Sequence, residues 1–122
     1  MYQAVATGDF PGFLNGMDEA IEWNEAENFP YADNNPYIGP GAVAAGVFGR
    51  IAADWEYWTL SDHEYHETIG DKIIVTGRYN AKHKITGKII KAQFTHIWTV
   101  NNGKATSFQQ YTDTKQVTDA MK

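Results

Sequence analysis

The chain has 122 residues, a formal net charge of −5 and no cysteine, which sets aside disulfides, zinc–thiolate sites and cysteine nucleophiles. Its ten basic residues are scattered, with only a loose run at Lys82–Lys91, so nucleic acid is not an expected partner. No apolar run reaches the length of a membrane span and no basic segment precedes an apolar one at the N-terminus, so we expect one domain, residues 1–122, in the cytoplasm with no membrane partner.

Tyr2–Thr7 reads as a short helix closed by Gly8. Asp9 is placed to cap a second, along which Phe10, Phe13, Leu14 and Met17 recur at helical spacing. Ala20–Glu27 alternates and reads as a strand, with the unusual feature that Glu25 shares a face with Ile21 and Trp23. Phe29–Gly39 carries two prolines and two tyrosines and reads as an aromatic loop over a rim or lid. Val43, Val47, Ile51 and Trp55 then mark a longer helix, roughly Pro40–Trp55, with Pro40 in its first turn. Four strands follow: Thr59–Ile69, Lys72–Ala81, Ile89–Val100 and Thr106–Thr112, leaving Val117–Lys122 as a polar tail. Helices interrupted by one strand, then a run of antiparallel strands, make an α+β layout with helices on one face of a curved sheet.

Asn102-Gly103 is a strong two-residue hairpin signal, because a type I′ turn needs positive φ at both central residues. A regular hairpin on that turn pairs Asn101 with Lys104, Trp98 with Ser107, His96 with Gln109 and Phe94 with Tyr111. One face then carries Phe94, His96, Trp98, Ser107, Gln109, Tyr111 and Asp113, and the other carries Thr95, Ile97, Thr99, Thr106, Phe108, Gln110 and Thr112. The first face mixes aromatic rings with a few groups able to move protons, which is the chemistry of a small-molecule pocket wall.

Three ionisable groups are the catalytic candidates: His96, Glu25 and Asp113. A carboxyl held among Trp23, Phe94 and Trp98 loses hydration, so its pKa rises toward neutrality and it can serve as a general acid or base. With aromatics at 14% of the chain, a lined cavity is plausible, and Trp23, Glu27, Tyr31, Phe48, Trp55, Tyr79, Phe94, Trp98, Gln109 and Tyr111 are the candidate ligand-binding residues. Glu25 and Glu27 share a face if the strand continues, which would suit paired-carboxylate chemistry. No metal site is expected. His63 and His66 are three apart and point to opposite faces of a strand, and nothing fixes a coordination geometry for His96, Glu25 and Asp113. No serine elbow or phosphate-binding glycine loop is present, and no cofactor is expected.

Several stretches taken together resemble one family. Ala4-Val5-Ala6-Thr7-Gly8-Asp9 is similar to a helix ending of the SnoaL-like, ketosteroid isomerase-related proteins of the NTF2-like superfamily. So are the strand Ile21-Glu22-Trp23 and the junction Tyr37-Ile38-Gly39-Pro40-Gly41-Ala42-Val43. Phe94-Thr95-His96-Ile97-Trp98-Thr99-Val100, then Gly103-Lys104, then Gln110-Tyr111-Thr112-Asp113 complete the resemblance. It implies an NTF2-like cone: about three N-terminal helices on a strongly curved antiparallel sheet that encloses a pocket for a small hydrophobic ligand. It also implies a homodimer through the outer sheet face, where the regular register places Ile97 and Phe108. In the ketosteroid isomerases an aspartate base follows the first strand; here Trp23-Asn24-Glu25 offers only Glu25 in its place. The family's oxyanion aspartate falls close to His96, and Tyr2 lies one residue out of step with the expected tyrosine. For cyclases of the SnoaL type, His96 and Asp113 are the nearest acid–base candidates. The resemblance implies a cofactor-independent isomerase or cyclase acting on a small hydrophobic carbonyl compound, or else a non-catalytic domain that binds a small ligand.

Overall fold

A computed structural model describes residues 2–122. Its frame is a six-stranded sheet in the order β2-β1-β6-β5-β4-β3, with β1 at Met17–Asn24, β2 at Tyr37–Ile38, β3 at Trp55–Glu67, β4 at Lys72–His83, β5 at Ile89–Asn101 and β6 at Lys104–Thr112. Every pairing is antiparallel except β1 with β6, which is parallel, so the sheet is mixed. Bulges interrupt β3 between Ser61 and Glu64 and β6 next to Thr106, and such bulges sharpen the local twist and bend of a sheet.

The helices match the sequence patterns with three differences, the first being that Met17 opens β1 and does not continue the second helix. Helix α1 (Tyr2–Ala6) precedes α2 (Phe10–Asn15), whose first turn is capped by Asp9 accepting from the Gly12 N–H at 3.0 Å. The long helix runs from Pro40 to Asp54, as α3 (Pro40–Val43), a π-helical turn (Ala44–Phe48) and α4 (Gly49–Asp54). Trp55 does not end it but opens β3. The supposed C-terminal tail contains α5 (Thr114–Ala120), which buries Val117 and Ala120. Within the aromatic loop a 3₁₀ turn at Ala32–Asn34 is tied to the long helix by Arg50, whose two guanidinium nitrogens reach Asp33 at 2.7 and 3.0 Å.

Two apolar clusters lie on the sheet. The larger joins Phe13, Met17, Ile21, Trp23, Val43 and Val47 to the inward residues of β4, β5 and β6. The smaller joins Phe29, Tyr31, Trp55 and Ile90 to Val117 and Ala120 of α5. The site described below opens inside the larger cluster.

The closing hairpin departs from a regular ladder. Asn102 and Gly103 adopt positive φ (52° and 76°), Asn101 pairs with Lys104 and Val100 with Ala105, as a type I′ turn requires. Thr99 then pairs with Ser107, leaving Thr106 as an extra residue. Beyond it the register is Trp98 with Phe108, His96 with Gln110 and Phe94 with Thr112. A one-residue offset turns every later side chain to the other face. Phe108 and Gln110 therefore point into the core, and Gln109 and Tyr111 point out. The packing explains why this register wins. Phe108 stacks on Trp23 at 3.7 Å between centroids and meets the edge of Trp98 at 4.6 Å, whereas the regular register would bury Ser107, Gln109 and Tyr111 there.

Candidate active site

The larger cluster lines a partly open cavity of about 120 Å³. An apolar cavity of about 150 Å³ accommodates benzene, so this space suits a ligand on the scale of one ring. Helices α1 and α2 contribute Tyr2, Val5 and Phe13; the π turn and α4 contribute Val47, Phe48 and Ile51. The sheet supplies Trp23 from β1, Trp58 and Leu60 from β3, and Trp98 and Phe108 from the hairpin. Four polar side chains complete the wall: Glu25, Tyr79, His96 and Gln110.

Glu25 follows the last residue of β1. Two side chains take over where the ladder stops. Asn35 accepts from the Glu25 N–H at 3.0 Å and donates to its carbonyl at 2.8 Å, and Gln110 accepts from the Ala26 N–H at 3.0 Å. The backbone is thus pinned on both sides while the carboxyl is left without a hydrogen-bonding side chain among the described residues. Glu25 is 3% exposed, and burial pushes its carboxyl up to about 8. The Trp23 indole N–H tempers that rise from nearby but makes no hydrogen bond of normal geometry and stays an unpaired buried donor.

His96 sits between two phenols. Its Nδ1 lies 2.5 Å from the Tyr2 hydroxyl and its Nε2 lies 2.6 Å from the Tyr79 hydroxyl. Trp98 Nε1 donates to the Tyr2 oxygen at 2.7 Å, and Gln110 Nε2 donates to the Tyr79 oxygen at 2.8 Å. Because Gln110 Oε1 is already committed to a backbone N–H, the orientation of its amide is fixed. Burial, with His63 nearby, lowers the imidazole to about 3, so His96 is neutral at physiological pH. Burial also raises both phenols well above their ordinary range. The wall therefore presents protonated, uncharged groups that donate and accept without net charge.

Of the sequence candidates, Trp23, Glu25, Phe48, Tyr79, His96 and Trp98 line the cavity. Phe94 lies behind it, stacked on His96 at 4.1 Å and on Tyr79 at 4.6 Å. Tyr31 and Trp55 belong to the smaller cluster, where the Tyr31 hydroxyl donates to Asp54 at 2.6 Å and accepts from Trp55 Nε1 at 3.1 Å. Glu27 is exposed in the turn after β1, so it forms no carboxylate pair with Glu25. Gln109 and Tyr111 lie on the outer face because of the bulge at Thr106, which also moves Phe108 from the expected outer face to the cavity wall. Asp113 caps α5, accepting from the Gln116 N–H at 3.2 Å, and is absent from the cavity lining. Gln110 was the polar residue that the regular register turned outward. Tyr2 was visible only through the family resemblance. Among the described residues, no group of three or more His, Asp or Glu is placed to hold a metal, and no helix is long and apolar enough to cross a membrane.

The sequence matches the SnoaL-like domain family over residues 1–108. An NTF2-like protein from Burkholderia thailandensis E264 superposes with a TM-score of 0.92 and 33% identity, covering 99% of this chain and 91% of that one. TerC, co-crystallised with polyporic acid, superposes with a TM-score of 0.85 and 24% identity over 98% of this chain and 91% of its own. A polyketide-cyclase candidate from Pseudomonas putida KT2440 has a TM-score of 0.83 and 14% identity over 98% and 90% of the two chains. At those lower identities the last two speak to the fold alone. No curated protein sequence matches.

Proposed function

The chain belongs to the SnoaL-like family of the NTF2-like superfamily, and we propose that it is a cofactor-independent enzyme of the isomerase or cyclase type that moves a proton on a small hydrophobic carbonyl compound. One observation carries this reading: a single carboxyl, buried and without a hydrogen-bonding side chain, faces an apolar cavity that also presents neutral hydroxyls. Such a carboxylate, once formed, is a stronger base than an exposed glutamate.

In the proposed step the Glu25 carboxylate takes a proton from the carbon next to the ligand's carbonyl. The C–H electron pair moves into the new C=C bond, and the carbonyl oxygen takes up the negative charge as an enolate. A tyrosine hydroxyl of the Tyr2–His96–Tyr79 chain donates a hydrogen bond to that oxygen. The protonated Glu25 then returns the proton to carbon. With both ring nitrogens occupied, His96 acts as a positioning residue for the two phenols. Asp113 has no part in the step.

The direct test is deuterium exchange. Ketones and enones of one to two rings are incubated with the protein in D₂O, and deuterium at the carbon next to the carbonyl is followed by NMR. We expect Glu25→Gln to slow exchange roughly 10²–10⁴-fold. The wild-type rate should rise with pH and level off above about 8, as the carboxyl ionises. A bound ketone whose exchange is untouched by Glu25→Gln would remove Glu25 from the mechanism. The second reading is a non-catalytic binding domain, favoured by the largely apolar wall. It predicts binding with no exchange in any variant.

We also propose a homodimer through the outer sheet face, supported by the adjacent half-buried Ile74 and Ile97 and by Tyr111, which is 53% exposed beside Thr95. Light scattering should give twice the chain mass, and Ile97→Lys should give the monomer.

A further inference from the structure

The hydrogen-bond arithmetic of the Tyr2–His96–Tyr79 chain has a fixed outcome. Each tyrosine oxygen accepts one hydrogen from an outer donor, Trp98 on one side and Gln110 on the other. A neutral imidazole carries one N–H and one bare nitrogen. If Nδ1 holds the proton, His96 donates to Tyr2, Tyr79 donates to Nε2, and the Tyr2 hydroxyl proton is left over. If Nε2 holds it, the roles reverse and the Tyr79 hydroxyl proton is left over. In either tautomer the chain has a single uncommitted donor, and the tautomer decides which phenol offers it.

The two phenols are not equivalent. Tyr2 is half-buried and also borders an open groove that reaches the exposed Tyr65 and Gly103, so its spare proton can meet water. Tyr79 is 4% exposed and faces the cavity away from bulk water, so an unmet hydroxyl proton there costs more than one at Tyr2. Without ligand the chain therefore favours the Nδ1–H tautomer. An acceptor oxygen placed in the cavity favours Nε2–H. The cavity wall includes no lysine or arginine, so a ligand carboxylate would lose its hydration there without a countercharge.

We propose that the cavity takes an uncharged, single-ring-sized ligand with a carbonyl oxygen, that Tyr79 is the phenol that holds this oxygen, and that binding moves the His96 proton from Nδ1 to Nε2. This rests on the reading that the cavity binds a carbonyl compound and not on whether that compound is turned over. It names the class of ligand, the residue that holds its oxygen and a proton shift that accompanies binding.

The test uses cyclohexanone as the neutral probe and cyclohexanecarboxylate as its charged counterpart, with the full chain labelled with ¹⁵N-histidine. His96 is assigned by loss of its signals in His96→Gln. We expect cyclohexanone to bind and to exchange the protonated and bare signatures of the two His96 nitrogens. Cyclohexanecarboxylate should bind roughly 100-fold more weakly or not at all. Tyr79→Phe should weaken cyclohexanone about tenfold, the size of one neutral hydrogen bond with its lost partner. Unchanged His96 nitrogens in saturated wild-type protein overturn the proposal, and this result does not depend on how Tyr79→Phe folds. Equal binding of the carboxylate, or no cyclohexanone binding in the millimolar range, also overturns it. Cyclohexanone that shifts the tautomer but exchanges no deuterium leaves this inference standing and removes the catalytic reading. Exchange without a tautomer shift does the reverse.

Discussion

Replacing Glu25 by Gln should stabilise the protein by an amount that grows with pH. Burial raises the carboxyl from its ordinary 4.5 to about 8 in the folded chain. Below about 4.5 it is protonated in both folded and unfolded chains and has no effect on the balance. Between about 4.5 and 8 the unfolded chain releases the proton while the folded chain keeps it, so stability falls as pH rises, by about 1.4 kcal/mol per pH unit. Above about 8 both forms are ionised and the loss levels off near ~5 kcal/mol. Glutamine has the same shape and does not titrate. The advantage of Glu25→Gln should therefore be a constant offset at pH 4.5, about 3.5 kcal/mol above that offset at pH 7, and close to its limit at pH 9.

His96 shapes the background with the opposite sign. Its pKa is lowered from 6.5 to about 3, so the unfolded chain binds a proton that the folded chain refuses, and stability is lost as pH falls from 6.5. Between about 4.5 and 6.5 the two slopes oppose each other, and together they leave the wild type nearly flat there. Glu25→Gln removes one of them, so the variant should climb steadily to pH 6.5. Urea denaturation of both proteins at pH 5, 6, 7, 8 and 9, with midpoints and slopes fitted together, reads this difference directly. A wild-type-to-variant gap that stays constant across the series would refute the claim that folding holds Glu25 protonated.

Two other substitutions follow from local geometry. At Gly77, opposite Phe94 in the β4–β5 ladder, an added Cβ would lie 2.6 Å from the Phe94 ring and 2.8 Å from the Ser61 carbonyl oxygen. Gly77→Ala should thus cost about 1–3 kcal/mol by urea denaturation and disturb the ring that backs His96 and Tyr79. Asp113→Ala removes the cap of α5 and should cost about 1 kcal/mol, leaving cyclohexanone affinity and deuterium exchange as in the wild type.

Local chemistry made much of the fold legible. The Asn102-Gly103 turn, the Asp9 cap and the Val43–Val47–Ile51 spacing each depend on neighbours within a few residues, and each matches the structure. Glu25 stood out because a carboxyl alternating with Ile21 and Trp23 breaks the strand pattern. The missed features depend on distant contacts. Asp113 has two locally sensible places, a pocket wall or a cap, and the choice rests on α5 burying Val117 and Ala120. Tyr31 and Trp55 are as aromatic as Trp23 and Trp98, and only the path of the loop assigns them to the second cluster. Gln110 was hidden by a single residue of register.

That residue, Thr106, allows a decisive comparison. Its hydroxyl donates to the Thr99 carbonyl at 3.3 Å and accepts from the Asn101 side chain at 3.2 Å, which are modest contacts near the surface. Thr106→Ala keeps the residue count and should cost no more than about 1 kcal/mol. Deleting Thr106 removes the extra residue and leaves Thr99 opposite Ser107, Trp98 opposite Phe108 and His96 opposite Gln110 in a regular ladder. Phe108 therefore keeps its place against Trp23 and Trp98, and Gln110 keeps the Ala26 N–H and Tyr79. What the deletion removes is the local bend of the bulge, not the choice of face. It should unfold at urea close to that of Thr106→Ala and should retain cyclohexanone binding, with both proteins measured side by side. If the deletion loses cyclohexanone binding while Thr106→Ala keeps it, the pairing of Trp98 with Phe108 does not by itself set which face of β6 forms the cavity.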